Sequence, residues 1–218
     1  GSWCLMGFES ARPIINRTAQ NLGFSNEGGA GHTFRVLKNL TGFWLLQECR
    51  KAWSQNNYTY DEITALAAEA EPFTVFIDTS HPSFLHPENM PEAIAAYCES
   101  TNQPVPETHG VTIRAILEGL AFKFREVTQQ INELRGSSSD VIHMTGGGIR
   151  NKLLCQFTAD SCAIPVITAL DEATATGNIM MQALARGIVK NVDEIREITA
   201  NSFPATTYNP VDTRVWDE

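Results

Sequence analysis

"VIHMTGGGIRNKLLCQFTAD", residues 141–160, governs how the chain is read. A short apolar run, 141–144, fits a strand. It ends close to three consecutive glycines, Gly146, Gly147 and Gly148, and a helical pattern of apolar residues follows over 150–163. Glycine has no side chain to hold a neighbour away, so three of them at a strand–helix junction let bare main chain lie against a ligand. The start of the next helix adds unpaired N–H groups and a positive dipole end. Those features suit a nucleotide, with a base or ribose on the glycines or a phosphate at the helix start. A tight turn that needs glycine only for positive φ explains one such residue better than three.

Working outward, 164–168 reads as a strand and 172–187 as a helix. Strand–helix–strand–helix predicts an α/β layer with partly parallel strands. Upstream lies the clearest helix, 111–136, with Ile113, Ile116, Leu117, Leu120, Phe124, Val127, Ile131 and Leu134 on one face and Gly136 as its stop. The spacing also predicts a helix over 33–53, with Gly42 inside it, and another over 60–71 with acids in its first turn. Residues 72–79, "PFTVFIDT", alternate and are β-rich, which predicts a strand. A Pro-rich loop follows, then a short helix over 91–101 that opens on Pro91. "SNEGGAGH", 25–32, reads as a loop, 1–10 as a short strand or hairpin, and the tail from Asn201 as irregular.

Of 218 residues, 43% are hydrophobic, enough for a real core, and the formal charge is -9. An acidic surface disfavours nucleic acid and anionic membranes, but not a nucleotide, which needs only local donors. No apolar run approaches the ~18 residues of a membrane-spanning helix. Cys4, Cys49, Cys98, Cys155 and Cys162 are odd in number and form no CxxC, which predicts reduced thiols and a cytoplasmic setting. The chain opens without Met, so the expectation is that its native start lies upstream or that Gly1-Ser2 is a cloning scar.

Five segments together resemble a known family: "GSWCLMGFE", "NEGGAG", "RVLKNLTGFWLLQE", "GGGIRNKLLCQFTAD" and "EATATGN" are similar to the C-terminal domain of FGGY carbohydrate kinases. The likeness covers the chain from Gly1 to about Gly187, and its strength is the order and spacing of the five. It implies an α/β, ribonuclease-H-like domain of the actin-like ATPase type, with a mixed sheet flanked by helices. The whole chain, 1–218, would be the nucleotide-binding domain of a two-domain kinase whose N-terminal domain is absent. ATP with Mg²⁺ would be used to phosphorylate a ketose sugar; within the group the motifs lean to the members that act on the 1-hydroxyl of L-rhamnulose. Carried onto this sequence, the resemblance implies ATP contacts at Ser2, Gln47, Gly146, Gly147, Gly148 and Asn151, and a substrate contact at Asn39. On a helix, Asn39 and Gln47 would share a side, two turns apart. Asn151 also suits a helix cap. Gly177 resembles a position that closes on the nucleotide, and close helix packing explains it equally well.

Phosphoryl transfer also needs a carboxylate to accept the hydroxyl proton. In the family that Asp precedes the segment matched by Gly1-Ser2, so the base is expected upstream of residue 1 and this chain alone is expected to be inactive. Asp160, on an exposed helix face, and Asp171 and Glu172, at a loop and helix start, read as ordinary acids. His32, His81, His86, His109 and His143 show no metal-ligand spacing, and His143 reads as a buried strand residue. Three alternatives stay open: a kinase of another ketose or polyol, a non-catalytic nucleotide-binding module, and a Rossmann oxidoreductase using Gly146-x-Gly148 and Asp171. The last lacks the third glycine, since Asn151 stands there.

Overall fold

The computed structural model describes residues 4–217. In chain order the elements begin with β1 (Cys4–Ser10), α1 (Arg17–Asn21), β2 (Ser25–Gly28), β3 (Phe34–Leu40) and α2 (Trp44–Ala52). Three helices follow: α3 (Tyr60–Glu69), α4 (Met90–Ser100) and α5 (His109–Arg135). The chain ends with β4 (Ile142–Met144), α6 (Lys152–Cys162), β5 (Val166–Thr168), α7 (Ala173–Ala185), α8 (Val192–Ser202) and β6 (Thr206–Tyr208). The described residues divide into two compact units, one of residues 4–6 and 39–129, the other of 7–38 and 130–217. Among the described residues no helix is long and apolar enough to cross a membrane.

The first unit is helical. α3 is started by a capping box in which the Thr59 hydroxyl accepts from Glu62 N–H and the Glu62 carboxylate accepts from Thr59 N–H. Asn89 caps α4, where Pro91 sits in the first turn. The apolar stripe of α5 is the centre of this unit: Ile113, Ile116, Leu117 and Leu120 are at most 1% exposed. Of the eight positions that marked the helix in sequence, only Leu134 is not buried. Gly119 lets the Ile77 carbonyl lie against α5, because a Cβ there would come within 2.5 Å of that oxygen.

Residues 72–79 are extended but are not a strand. Val75, Ile77 and Thr79 point inward as the alternation requires. Their backbone partners are side chains, which is why no ladder forms. Gln103 donates to Phe76 O and accepts from Phe76 N–H, Tyr97 OH accepts from Asp78 N–H, and the Glu118 carboxylate accepts from Phe73 N–H. Phe73 turns the chain with φ at +54°. Glu118 is 2% exposed and also accepts from Arg114 Nε at 2.7 Å, while Arg114 Nη1 reaches Ala67 O and Ala70 O. Burial pushes the Glu118 carboxyl above its ordinary range, against the opposing pull of Arg114 and the Phe73 N–H.

The single helix expected over 33–53 is a strand and a helix. Gly42, at φ +55°, makes the turn between β3 and α2. Phe34, Leu37 and Leu40, which recur at helical spacing, lie instead on β3, the central strand of its sheet, where Leu37 and Leu40 are buried. β2, expected as loop, pairs antiparallel with β3 from Ser25↔Leu37 to Gly28↔Phe34. β1, β3 and β2 form one sheet in that order, and Gly7 permits a close approach, since a Cβ there would collide with Val36 O.

The second sheet, in the second unit, has the order β4-β5-β6. β4 and β5 are parallel, with Ile142↔Val166 to Met144↔Thr168, and β6 adds antiparallel to β5. The tail is therefore not irregular: it supplies β6 and the buried Trp216, whose ring meets Phe157 edge-on. Asp160, expected on an exposed face, is 8% exposed and holds this tail. Its carboxylate accepts from Val211 N–H at 2.8 Å and from Gln156 Nε2, which also donates to Asn209 O. Asp160→Ala is expected to cost about 1–3 kcal/mol, because it strands a part-buried N–H. Faster hydrogen exchange confined to residues 204–217 would show it; unchanged exchange there would refute the clasp. His143 in β4 is exposed rather than buried, because the alternation places Ile142 and Met144 on the sheltered face instead.

Candidate functional site

The site is built at the carboxyl ends of the parallel pair β4 and β5, where ligands of α/β folds gather. β4 runs into the turn 145–151 and β5 into the loop 169–172. Gly146 N–H donates to Leu170 O at 2.8 Å, which joins the two. Gly146 adopts φ +81° with ψ -179°, a conformation open in practice only to glycine. Gly147–Arg150 then makes one 3-10 turn, closed by Ile149 N–H on Gly146 O and Asn151 N–H on Gly148 O.

Asn151 ends that turn and starts α6. Its side-chain oxygen accepts from Leu154 N–H at 2.9 Å, a standard N-cap. α6 is anchored firmly: Leu154, Cys155, Phe157, Thr158 and Ala159 are all buried. The turn thus rises from a fixed base. Burial pushes the Cys155 thiol up to about 11, so it packs rather than reacts.

Among the described residues, Gly146 and Gly147 face open space. A Cβ built on Gly146 or on Gly147 would meet nothing within 4 Å. Gly146 is explained by its φ. Gly147 has no positive φ and, among the described residues, no close neighbour, so nothing in them requires glycine there. The same holds for Gly177 in α7, where a Cβ would also meet nothing within 4 Å; close helix packing does not account for it. α7 as a whole contains no buried residue, and Ile179 is 65% exposed.

One feature of the turn was not singled out in the sequence. Arg150 Nη2 lies 2.7 Å from Asp171 Oδ2, so the far end of the turn is tied to the loop after β5. The bond and charge of Arg150 hold the Asp171 carboxyl below its ordinary range. Spacing alone gives no signal for it, since the two residues are brought together by the parallel pairing.

The structure brings Gly146, Gly147, Gly148 and Asn151 together in the second unit. Asn39 and Gln47 belong to the first unit. Asn39 is an exposed residue of β3 and Gln47 a half-buried one of α2, so the shared helix face expected for them does not exist. Ser2 lies outside the described residues. His109 stacks on Trp53 with ring centroids 4.0 Å apart, and His81 caps the turn at Pro82–Phe84 by accepting from Ser83 N–H. Both are structural. Among the described residues no group of three or more His, Cys, Asp or Glu side chains converges to hold a metal ion.

Residues 1–186 match the model of the FGGY family of carbohydrate kinases, C-terminal domain. The chain is 42% identical over 217 residues to a rhamnulokinase of Bacteroides thetaiotaomicron, covering 100% of this chain and 44% of that protein. It is 37% identical over 212 residues to a rhamnulokinase of Bacillus subtilis, covering 97% of this chain and 44% of that protein. The chain therefore spans less than half the length of these curated relatives. Among solved structures, a ligand-bound xylulose kinase from Lactobacillus acidophilus superposes with a TM-score of 0.71 at 13% identity, over 100% of this chain and 43% of its own. A Plasmodium falciparum glycerol kinase with ADP gives 0.62 at 14% identity, over 90% of this chain and 39% of its own.

Proposed function

This chain belongs to the FGGY family of carbohydrate kinases, matching its C-terminal domain, and on that footing we propose that it is the nucleotide-binding half of a two-domain kinase. Its fold is the family's: α/β, of the actin-like ATPase type, with a mixed sheet flanked by helices. The full-length protein transfers the terminal phosphoryl group of ATP to the 1-hydroxyl of L-rhamnulose. The names of its curated relatives support that choice of sugar.

The observation that carries the nucleotide reading is Gly147. It is a glycine that neither backbone conformation nor packing calls for, at the open end of a parallel strand pair. The shelf 146–148 receives the adenosine, and main chain rather than side chain makes the contact. Asn151 fixes the start of α6 beneath it through its cap on Leu154. Gln47 serves ATP, Asn39 the sugar, and Ser2 the phosphate tail. Mg²⁺ would supply charge neutralisation at the transferred phosphoryl group. The carboxylate that takes the sugar's proton belongs to the part of the kinase outside these residues.

A coupled assay of ADP release checks this. The full-length protein from the native gene is expected to turn over with L-rhamnulose, and the 218-residue chain to show no turnover with any sugar. Rhamnulose-dependent ADP release from the 218 residues would overturn the division of labour. A panel of ketoses and polyols reads the specificity. A full-length protein that binds ATP yet phosphorylates none of them would favour a non-catalytic nucleotide-binding module.

A further inference from the structure

The glycine turn is fastened at both ends to the same short loop. At its start, Gly146 N–H donates to Leu170 O at 2.8 Å; at its finish, Arg150 Nη2 meets Asp171 Oδ2 at 2.7 Å. Leu170 and Asp171 are adjacent residues. Between the two fastenings lie Gly147, Gly148 and Ile149. Among the described residues, the positions where Cβ atoms of Gly146 and Gly147 would stand are empty to 4 Å. Gly146 meanwhile sits in a sparsely populated conformation, φ +81° and ψ -179°. Such a conformation persists only where the surroundings over-determine it.

We propose that Arg150 and Asp171 are positioning residues for the nucleotide, forming a clasp that keeps the glycine shelf in its ligand-ready shape. This rests on the reading of 146–148 as the nucleotide shelf. Neither side chain need touch the nucleotide. The pair is solvent-exposed, with 69% and 46% of the two side chains accessible, so it is a modest contributor to the stability of the fold. Its effect is on the fraction of molecules whose shelf is ready, and apparent affinity falls in proportion to that fraction.

The test uses the full-length kinase, with Mg-ADP binding followed by calorimetry and steady-state kinetics run in parallel. Arg150→Ala and Asp171→Ala are each expected to raise the Kd for Mg-ADP and the KM for ATP roughly fivefold, the ceiling for an exposed pair. The sugar KM, kcat and melting temperature stay at wild-type values. The reciprocal double variant, Arg150→Asp with Asp171→Arg, restores most of the affinity, and raised salt narrows the gap between wild type and the single variants. Unchanged nucleotide affinity in both single variants overturns the clasp. So does an equal rise in the KM values for ATP and sugar, or a double variant no better than its parents. Wild-type protein that fails to bind Mg-ADP at all would instead refute the shelf reading beneath it.

Discussion

Gly147→Phe in the full-length kinase is expected to weaken Mg-ADP binding on the order of a hundredfold while the melting temperature moves by no more than about 2 °C. The size of the binding loss follows from the geometry. A phenyl ring at position 147 would fill the space that the bare backbone leaves open, and the adenosine would have to give up that face entirely. The small effect on stability follows from the same observation. A Cβ on Gly147 meets nothing within 4 Å, and the residue has no positive φ to strain, so the side chain extends into solvent as at any tolerant surface position. Gly146→Ala is the informative contrast. Its φ of +81° makes any side chain costly, by about 1–3 kcal/mol, so that variant loses stability along with affinity. A Gly147→Phe protein that melts normally and binds Mg-ADP like wild type would remove the nucleotide from this shelf.

Glu118→Ala is the second large effect, and it concerns the fold alone. The carboxylate is 2% exposed and accepts from Arg114 Nε at 2.7 Å and from Phe73 N–H. Removing it strips a largely buried guanidinium of its counter-charge and leaves the Phe73 N–H without its acceptor on α5. Breaking such a pair from one side costs about 3–5 kcal/mol, or roughly 10 °C in melting temperature for a domain of this size. The double variant Arg114→Met, Glu118→Leu is expected to recover most of that loss, because the ions no longer have to be desolvated. The pH dependence has the matching sign. Burial raises the folded-state value of Glu118 above its unfolded one, so the folded chain holds this proton more tightly. The penalty from this carboxyl is therefore present above the folded-state value, and it disappears as pH falls toward the ordinary glutamate range. Thermal melts of wild type and Glu118→Gln across mildly acidic pH check it: wild type gains relative to the variant on acidification, and parallel curves would contradict the assignment.

The parts of the fold legible in sequence are those set by local periodicity. The stripe of α5 predicted burial at every marked position but Leu134, and the acids of α3 and Pro91 of α4 matched their first turns. The glycine junction was legible as a strand–turn–helix because an apolar run and a helical pattern flank the three residues. What failed depended on distant partners. β3 was read as helix because Phe34, Leu37 and Leu40 recur at helical spacing, and its place between β1 and β2 makes a strand of it. Residues 72–79 had strand composition, but Gln103, Tyr97 and Glu118 took their hydrogen bonds. Asp160 looked like a surface acid since its donor, Val211 N–H, is 51 residues away in the chain. The Arg150–Asp171 tie, 21 residues apart, became visible only when β4 and β5 lay side by side.

The shelf itself is tested most directly by a crystal structure of the full-length kinase with a non-hydrolysable ATP analogue and Mg²⁺. The adenosine moiety is expected within van der Waals reach, about 4 Å, of the main chain of Gly146, Gly147 and Gly148. An analogue bound elsewhere, with those three residues left facing solvent, would contradict the account.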